Sequence, residues 1–179
     1  MAEPPQPSSL GGWAVLALLC EGDAHGWALV RTLASNGEVG SVWSIRRALV
    51  YRTVELLLDA GMIEQAGSEP GTRGSPRTML RVRPAGRQAV RRWLTEPVAH
   101  VRDLRSALLL KLLFAQRAGV DRIPLLESQQ AILADTVLAL EAPGGAEEEA
   151  GATARVFRLE TARAGLRFVE GELARLRAL

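Results

Sequence analysis

Cysteine is nearly absent. Cys20 is the only one among 179 residues, which excludes an intrachain disulfide and a cysteine-built structural metal site. Long apolar runs are missing too. The longest, Trp13 to Cys20, has eight residues, against the ~20 that an apolar helix needs to cross a bilayer. No basic residue precedes it between Met1 and Leu10, unlike the start of a secretory leader. The expectation is a cytoplasmic protein without membrane contact. Aromatic residues make up only 4% of the chain, and Lys111 is the single lysine among 22 basic residues. The two histidines, His25 and His100, have no clustered carboxylates near them. With no metal-ligand spacing, phosphate-cradling glycine loop or nucleophile elbow, the sequence points away from an enzyme and calls for no cofactor or metal.

What is present describes a folded, mostly helical chain. An apolar fraction of 47% with 23% charged residues suits a buried core, and the length suits two small modules better than two large enzyme domains around a cleft. The formal net charge of +2 conceals a strong local asymmetry. Between Pro70 and Thr95 there are seven arginines and no acidic residue, whereas from Pro97 onward bases and acids balance at eleven each. The basic stretch is therefore the end suited to a polyanion.

The pattern divides into an arm over 1–9, a winged helix-turn-helix over 10–96 and a helical dimerisation part over 97–179. Leu10 to Leu19 read as a buried helix stopped by Gly22. Asp23 is placed to cap a second helix that ends at Asn36-Gly37, and Ser44 to cap a third that ends at Ala60, with Gly61 in the left-handed position. Met62 to Arg83 read as a hairpin with a long tip, and Pro84 opens a fourth helix. Beyond it, Asp103 to Ala118 form one candidate helix. Two further helices follow, capped by Asp121 and separated by Pro143-Gly144-Gly145. Their stripes run through Ile123, Leu126, Gln130, Leu133, Val137 and Leu140, and through Leu159, Ala162, Leu166, Val169, Leu173 and Leu176. Stripes at alternating three- and four-residue steps make a packing seam, and a lone helix pair cannot cover both of its apolar sides, so a homodimer is expected.

At 100° per residue, the third helix turns Val50, Val54, Leu57 and Leu58 inward, and Ala48, Tyr51, Arg52, Glu55 and Asp59 outward. Arg46 and Arg47 stand at its start. A helix that reads the major groove must present such an outer face to base edges, so Arg46, Arg47, Tyr51 and Arg52 are the expected DNA surface. Arg73 and Arg77 flank the hairpin tip and are the expected wing contacts. His25 and Cys20 are read as structural. The four tryptophans are read first as core.

The segments Asp23-Ala24-His25-Gly26-Trp27, Val50-Tyr51-Arg52-Thr53-Val54 with Gly61-Met62-Ile63, and Pro84-Ala85-Gly86-Arg87 with Trp93-Leu94 together resemble the PadR family of bacterial transcriptional regulators, in its long form. The likeness runs from Leu10 to about Leu140. It departs from the family pattern at Trp27, Arg46-Arg47-Ala48, Leu56, Leu58 and Arg83. The resemblance implies a winged-helix DNA-binding domain, a dimer formed through C-terminal helices, and repression relieved by a small molecule. Together with the module layout it puts an aromatic effector near Trp13, Trp93 and Phe114. The function so read is a dimeric repressor that binds double-stranded DNA at a roughly palindromic operator. The competing reading is a winged-helix protein-interaction module that does not bind DNA, favoured by Glu55 and Asp59 on the outward face of the third helix.

Overall fold

In a computed structural model, which describes residues 6–70, 76–142 and 149–179, the chain forms two compact units. The first comprises 1–94 with 109–118, the second 95–108 with 119–179.

In the first unit, α1 (Leu10–Glu21) is the central core helix. Its start is capped by Ser9, whose Oγ accepts from the Gly12 amide at 3.2 Å, and its residues from Gly11 to Leu19 are buried apart from Trp13. It contacts α3 and the sheet. A two-residue strand, β1 (Ala24–His25), leads into α2 (Gly26–Leu33). The expected Asp23 cap is not used. Because Ala24 pairs with Leu80 on the wing, the preceding Asp23 lies beside Arg81, with their charged atoms 2.5 Å apart. The hydrogen bond from Arg81 holds the Asp23 carboxyl below the usual carboxylate range. His25 caps α2 instead, its Nδ1 accepting from the Ala28 amide at 3.1 Å.

α3 (Arg47–Asp59) also begins later than Ser44 would place it. The Ile45 amide donates to the Leu33 carbonyl at 3.0 Å, so the chain is still extended there, and Arg46 takes the N-cap place without a side-chain bond. Its other end matches the expectation: Gly61 is left-handed (φ 64°), and the Met62 amide closes back to the Leu57 carbonyl at 3.0 Å.

The wing is a three-stranded antiparallel sheet in the order β1-β3-β2. β2 (Ile63–Glu69) and β3 (Arg77–Val82) make the expected hairpin, with a bulge between Gln65 and Ser68. The tip, 71–75, falls outside the described residues, and β1 is a strand too short to show any alternation in the sequence. α4 (Pro84–Thr95) starts at its proline as read and buries Ala89, Val90, Trp93 and Leu94.

The segment read as one helix, Asp103 to Ala118, is three pieces: a 3-10 turn (Val101–Asp103), a π turn (Leu104–Leu108) and α5 (Leu109–Arg117). α5 joins the first unit, although the sequence division assigned it to the helical part. Its Lys111 ammonium is buried, donating to the Trp93 carbonyl at 2.5 Å and lying 4.9 Å from the Trp93 ring centre. Its Arg117 bridges Glu21 and Glu38 at 2.7 and 2.9 Å. A desolvated ammonium with no hydrogen-bond acceptor would cost several kcal/mol, so the carbonyl contact helps to make this lysine tolerable in a core.

The second unit is built on α6 (Ile123–Glu141) and α7 (Glu149–Arg177). The contacts Glu127–Arg177, Gln130–Glu170 and Glu141–Arg163 run in opposite senses along the two helices, which are therefore antiparallel. Arg122, not the expected Asp121, takes the N-cap place of α6 and makes no side-chain cap bond; Asp121 stands one residue earlier, its carboxylate accepting from the Ile123 amide at 2.9 Å. Segment 95–108 covers one side of the pair. The Gln129 amide, 1% exposed, both accepts from and donates to the Val98 backbone at 2.7 and 3.1 Å, and Leu104 lies so close to Gly165 that a Cβ there would come within 2.5 Å of it. Among the described residues no helix is long and apolar enough to cross a membrane.

Candidate nucleic-acid interface

α3 needs an apolar face toward α1 and leaves the opposite face to solvent. Val50, Thr53, Val54 and Leu57 are buried, while Arg46, Arg47, Ala48, Tyr51, Arg52, Glu55 and Asp59 are exposed. The structure thus gathers four of the six expected DNA contacts on one surface. Arg46 and Arg52 have no carboxylate partner among the described residues, so their charge is directed outward and is not neutralised locally.

Arg47 is held differently. Its guanidinium carbon lies 5.3 Å from the Trp27 ring centre and 5.7 Å from that of Tyr51, one turn further along the same helix. Contacts of this kind at exposed sites are worth about 0.5–1 kcal/mol each, enough to restrict a long side chain without desolvating its donors. The Tyr51 ring in turn lies across Gly26, where a Cβ would come within 2.8 Å of Tyr51 Cε1. Gly26 therefore lets the N-terminus of α2 approach α3 closely enough for Trp27 to reach Arg47.

Trp27 was missed by the sequence reading, which took tryptophans first as core. It is 48% exposed, although α2 is amphipathic and buries Leu29, Val30 and Leu33. The available signal was helical phase: residue 27 lies two positions before Leu29, off the stripe formed by 29, 30 and 33.

The wing approaches the same region through Arg77, whose Nη1 is 3.3 Å from His25 Nε2. His25 thus links two elements, capping α2 through one ring nitrogen and meeting the wing through the other. Arg73 lies outside the described residues. Arg81 and Arg83, also in the acid-free stretch, are partly neutralised by Asp23 and Glu64. They are structural before they are available to a ligand.

The three residues read as an effector site do come together. Trp13 and Trp93 stack with ring centres 5.2 Å apart and planes 3° from parallel, and Phe114 tilts onto Trp93 at 6.5 Å. Trp93 is only 5% exposed and Phe114 2%, so an aromatic molecule there would have to part rings already packed on one another. Burial pushes the Cys20 thiol up.

The seam residues are divided. Leu126, Leu133, Val169 and Leu173 are buried within the one chain by the packing of α6 on α7. Ile123, Val137, Leu140, Leu159, Leu166 and Leu176 keep partial exposure, and the more exposed apolar side chains of this unit include Leu138 and Phe168, which the stripe did not contain.

No family model matches the chain, and no curated protein matches it. Among solved structures it is similar to Bacillus subtilis PadR in complex with operator DNA, at 18% identity and a TM-score of 0.48, covering 93% of this chain and 98% of that one. It is also similar to a crystal structure of Bacillus subtilis PadR, at 18% identity and a TM-score of 0.43, covering 98% and 99% of the two chains.

Proposed function

We propose that this protein is a sequence-specific DNA-binding transcriptional regulator that acts as a homodimeric repressor and is released by a small molecule. The observation that carries the reading is the outward surface of α3, where Arg46, Arg47, Tyr51 and Arg52 are exposed together and Arg47 is steadied between Trp27 and Tyr51. In this reading α3 lies in the major groove. Arg46 and Arg52 take phosphates or base edges, and the Trp27 indole packs against the sugar-phosphate backbone beside Arg47. Arg77, with Arg73, brings the wing to the neighbouring phosphates. Glu55 and Asp59, exposed on the same helix, are the observation on the other side; they suit a protein partner that replaces DNA.

The test is a gel shift with duplex DNA from upstream of the protein's own coding region and an unrelated duplex of equal length. Retardation of the first at lower protein concentration than the second, weakening as salt rises, is expected. Retardation of neither duplex at low salt leaves the protein-interaction reading. In the same assay Trp27→Ala should weaken binding by roughly 3- to 10-fold, in keeping with one lost contact of about 1 kcal/mol and a less ordered Arg47.

The dimer in this reading is held by apolar surface of α6 and α7 left over from their packing on one another, and its two-fold axis calls for a roughly palindromic operator. A Leu138→Glu, Phe168→Glu variant is expected to sediment as a folded monomer with unchanged helical circular dichroism. If it remains a dimer at micromolar concentration, the partner lies on another face.

A further inference from the structure

His25 makes two contacts that cannot both be hydrogen bonds. Its Nδ1 faces the Ala28 amide at 3.1 Å, and its Nε2 faces Arg77 Nη1 at 3.3 Å. A backbone amide and a guanidinium nitrogen can only donate, whereas a neutral imidazole has one ring lone pair to accept with and a protonated one has none. One contact is therefore donor against donor. The shorter contact is the helix cap, which satisfies an otherwise orphan amide at the start of α2, so the lone pair belongs to Nδ1 and the proton to Nε2. Two donors then stand 3.3 Å apart, an arrangement that is repulsive by itself and favourable around a shared acceptor.

The strand register fixes this pair. His25 stands opposite Met79 on β3, so Arg77, two residues nearer the wing tip, is its diagonal neighbour on the same face of the sheet. Strand pairing of β1 ends at His25. The next residue, Gly26, opens α2 against the Tyr51 ring, on the exposed side of α3. The two donors thus lie where the wing, the start of α2 and the outward surface of α3 meet, and both side chains are only partly buried. The acid nearest in sequence, Asp23, is engaged by Arg81 at 2.5 Å, so its charge is offset there. An oxygen about 2.8 Å from each nitrogen completes a triangle on the observed 3.3 Å base, and an anionic oxygen fits best because one of the donors carries a full charge.

We propose that His25 and Arg77 clamp one backbone phosphate of duplex DNA, with His25 Nε2 and Arg77 Nη1 donating to the same oxygen. The clamp rests on the reading of the protein as a DNA-binding regulator and adds a neutral ring to a surface otherwise made of arginines and aromatic side chains. Capping and binding are coupled in one residue, because the bond from Ala28 fixes the tautomer that the phosphate requires. A phosphate carries no sequence information. The clamp therefore sets the seating of α3 and the wing on the duplex and leaves the choice of bases to α3.

The two ring nitrogens can be tested apart. The carbonyl oxygen of asparagine reaches the place of Nδ1, and the amide nitrogen of glutamine reaches that of Nε2. His25→Asn thus keeps the cap and loses the phosphate donor, while His25→Gln keeps the donor and loses the cap. In the gel shift with the upstream and the unrelated duplex, His25→Asn should bind both roughly tenfold more weakly at an unchanged melting temperature, the effect of one hydrogen bond to a charged group. His25→Gln should stay within about threefold of the wild type in affinity and melt at a lower temperature. Because the two donors share one oxygen, the His25→Asn, Arg77→Gln variant should lose clearly less than the product of the two single losses. His25→Asn that binds like the wild type, or single losses that multiply in full, overturns the clamp, and the second comparison decides even where the asparagine lowers stability. A wild type that retards neither duplex at low salt removes the regulator reading and the clamp with it. A wild type that retards DNA no better than His25→Asn removes the clamp alone.

Discussion

An Arg46→Ala, Arg47→Ala, Arg52→Ala variant is expected to bind every duplex at least about a hundredfold more weakly than the wild type, because each hydrogen bond to a charged group contributes roughly 1.5–3 kcal/mol and tenfold in affinity is ~1.4 kcal/mol. All three side chains project from the exposed side of α3, so the loss should come with little change in melting temperature. The single variants separate roles. A phosphate-binding arginine, once removed, lowers the slope of log affinity against log salt by about 0.9 and affects specific and unrelated DNA alike. A base-reading one leaves the slope nearly as it was and relaxes the preference at one position. Arg47 is the residue expected to read, because its two aromatic neighbours reduce the entropy lost when its donors are aligned on a base. A triple variant that binds like the wild type would move the DNA surface away from α3.

Phe114→Ala is expected to lower the stability of the first unit by about 3–5 kcal/mol, the usual cost of truncating a buried phenylalanine. Phe114 sits in α5, outside the continuous stretch that makes up the rest of this unit, and packs on Trp93 beside the Trp13 stack. Small domains are stable by only ~5–15 kcal/mol, so the change should be plain in urea unfolding followed by tryptophan emission. If α5 contributed nothing to the winged unit, the same substitution would leave the unfolding midpoint of that unit where it is. The Lys111→Met variant is a useful companion. It keeps the length of the side chain while removing the ammonium, and it separates the packing of α5 from its hydrogen bond to Trp93.

Helical phase was the most legible feature of the chain. The outward face of α3 could be read because burial against α1 imposes a 3.6-residue period, and the structure exposes Tyr51, Arg52, Glu55 and Asp59 and buries Val50, Val54 and Leu57 as that period requires, while Leu58, also read as inward, is only partly covered. Thr53 is buried as well, a small side chain taken up where α3 crosses Gly11. Stops were legible for a similarly local reason: Gly61 is where a left-handed residue is needed.

Helix starts were less so. Asp23 and Ser44 are both good caps by residue type, yet each was displaced by a long-range partner, Asp23 by Arg81 across the sheet and Ser44 by the hold of Leu33 on Ile45. Capping preference is about 1 kcal/mol, small enough for a strand pairing to override. β1 could not be seen at all, since two residues have no periodicity and exist as a strand only because β3 is there to pair with them.

Residue order by itself determined the helices of the first unit, the wing hairpin, the basic stretch and the outward face of α3, because each depends on spacing within a single element or turn. Tertiary structure alone decided what covers each apolar surface. It placed α5 in the first unit, buried Leu126, Leu133, Val169 and Leu173 between the chain's own helices, and left Trp27 outside. An apolar stripe states that it must be buried, but the hydrophobic effect is non-directional, and the identity of the covering surface comes only from the packing of elements distant in the chain.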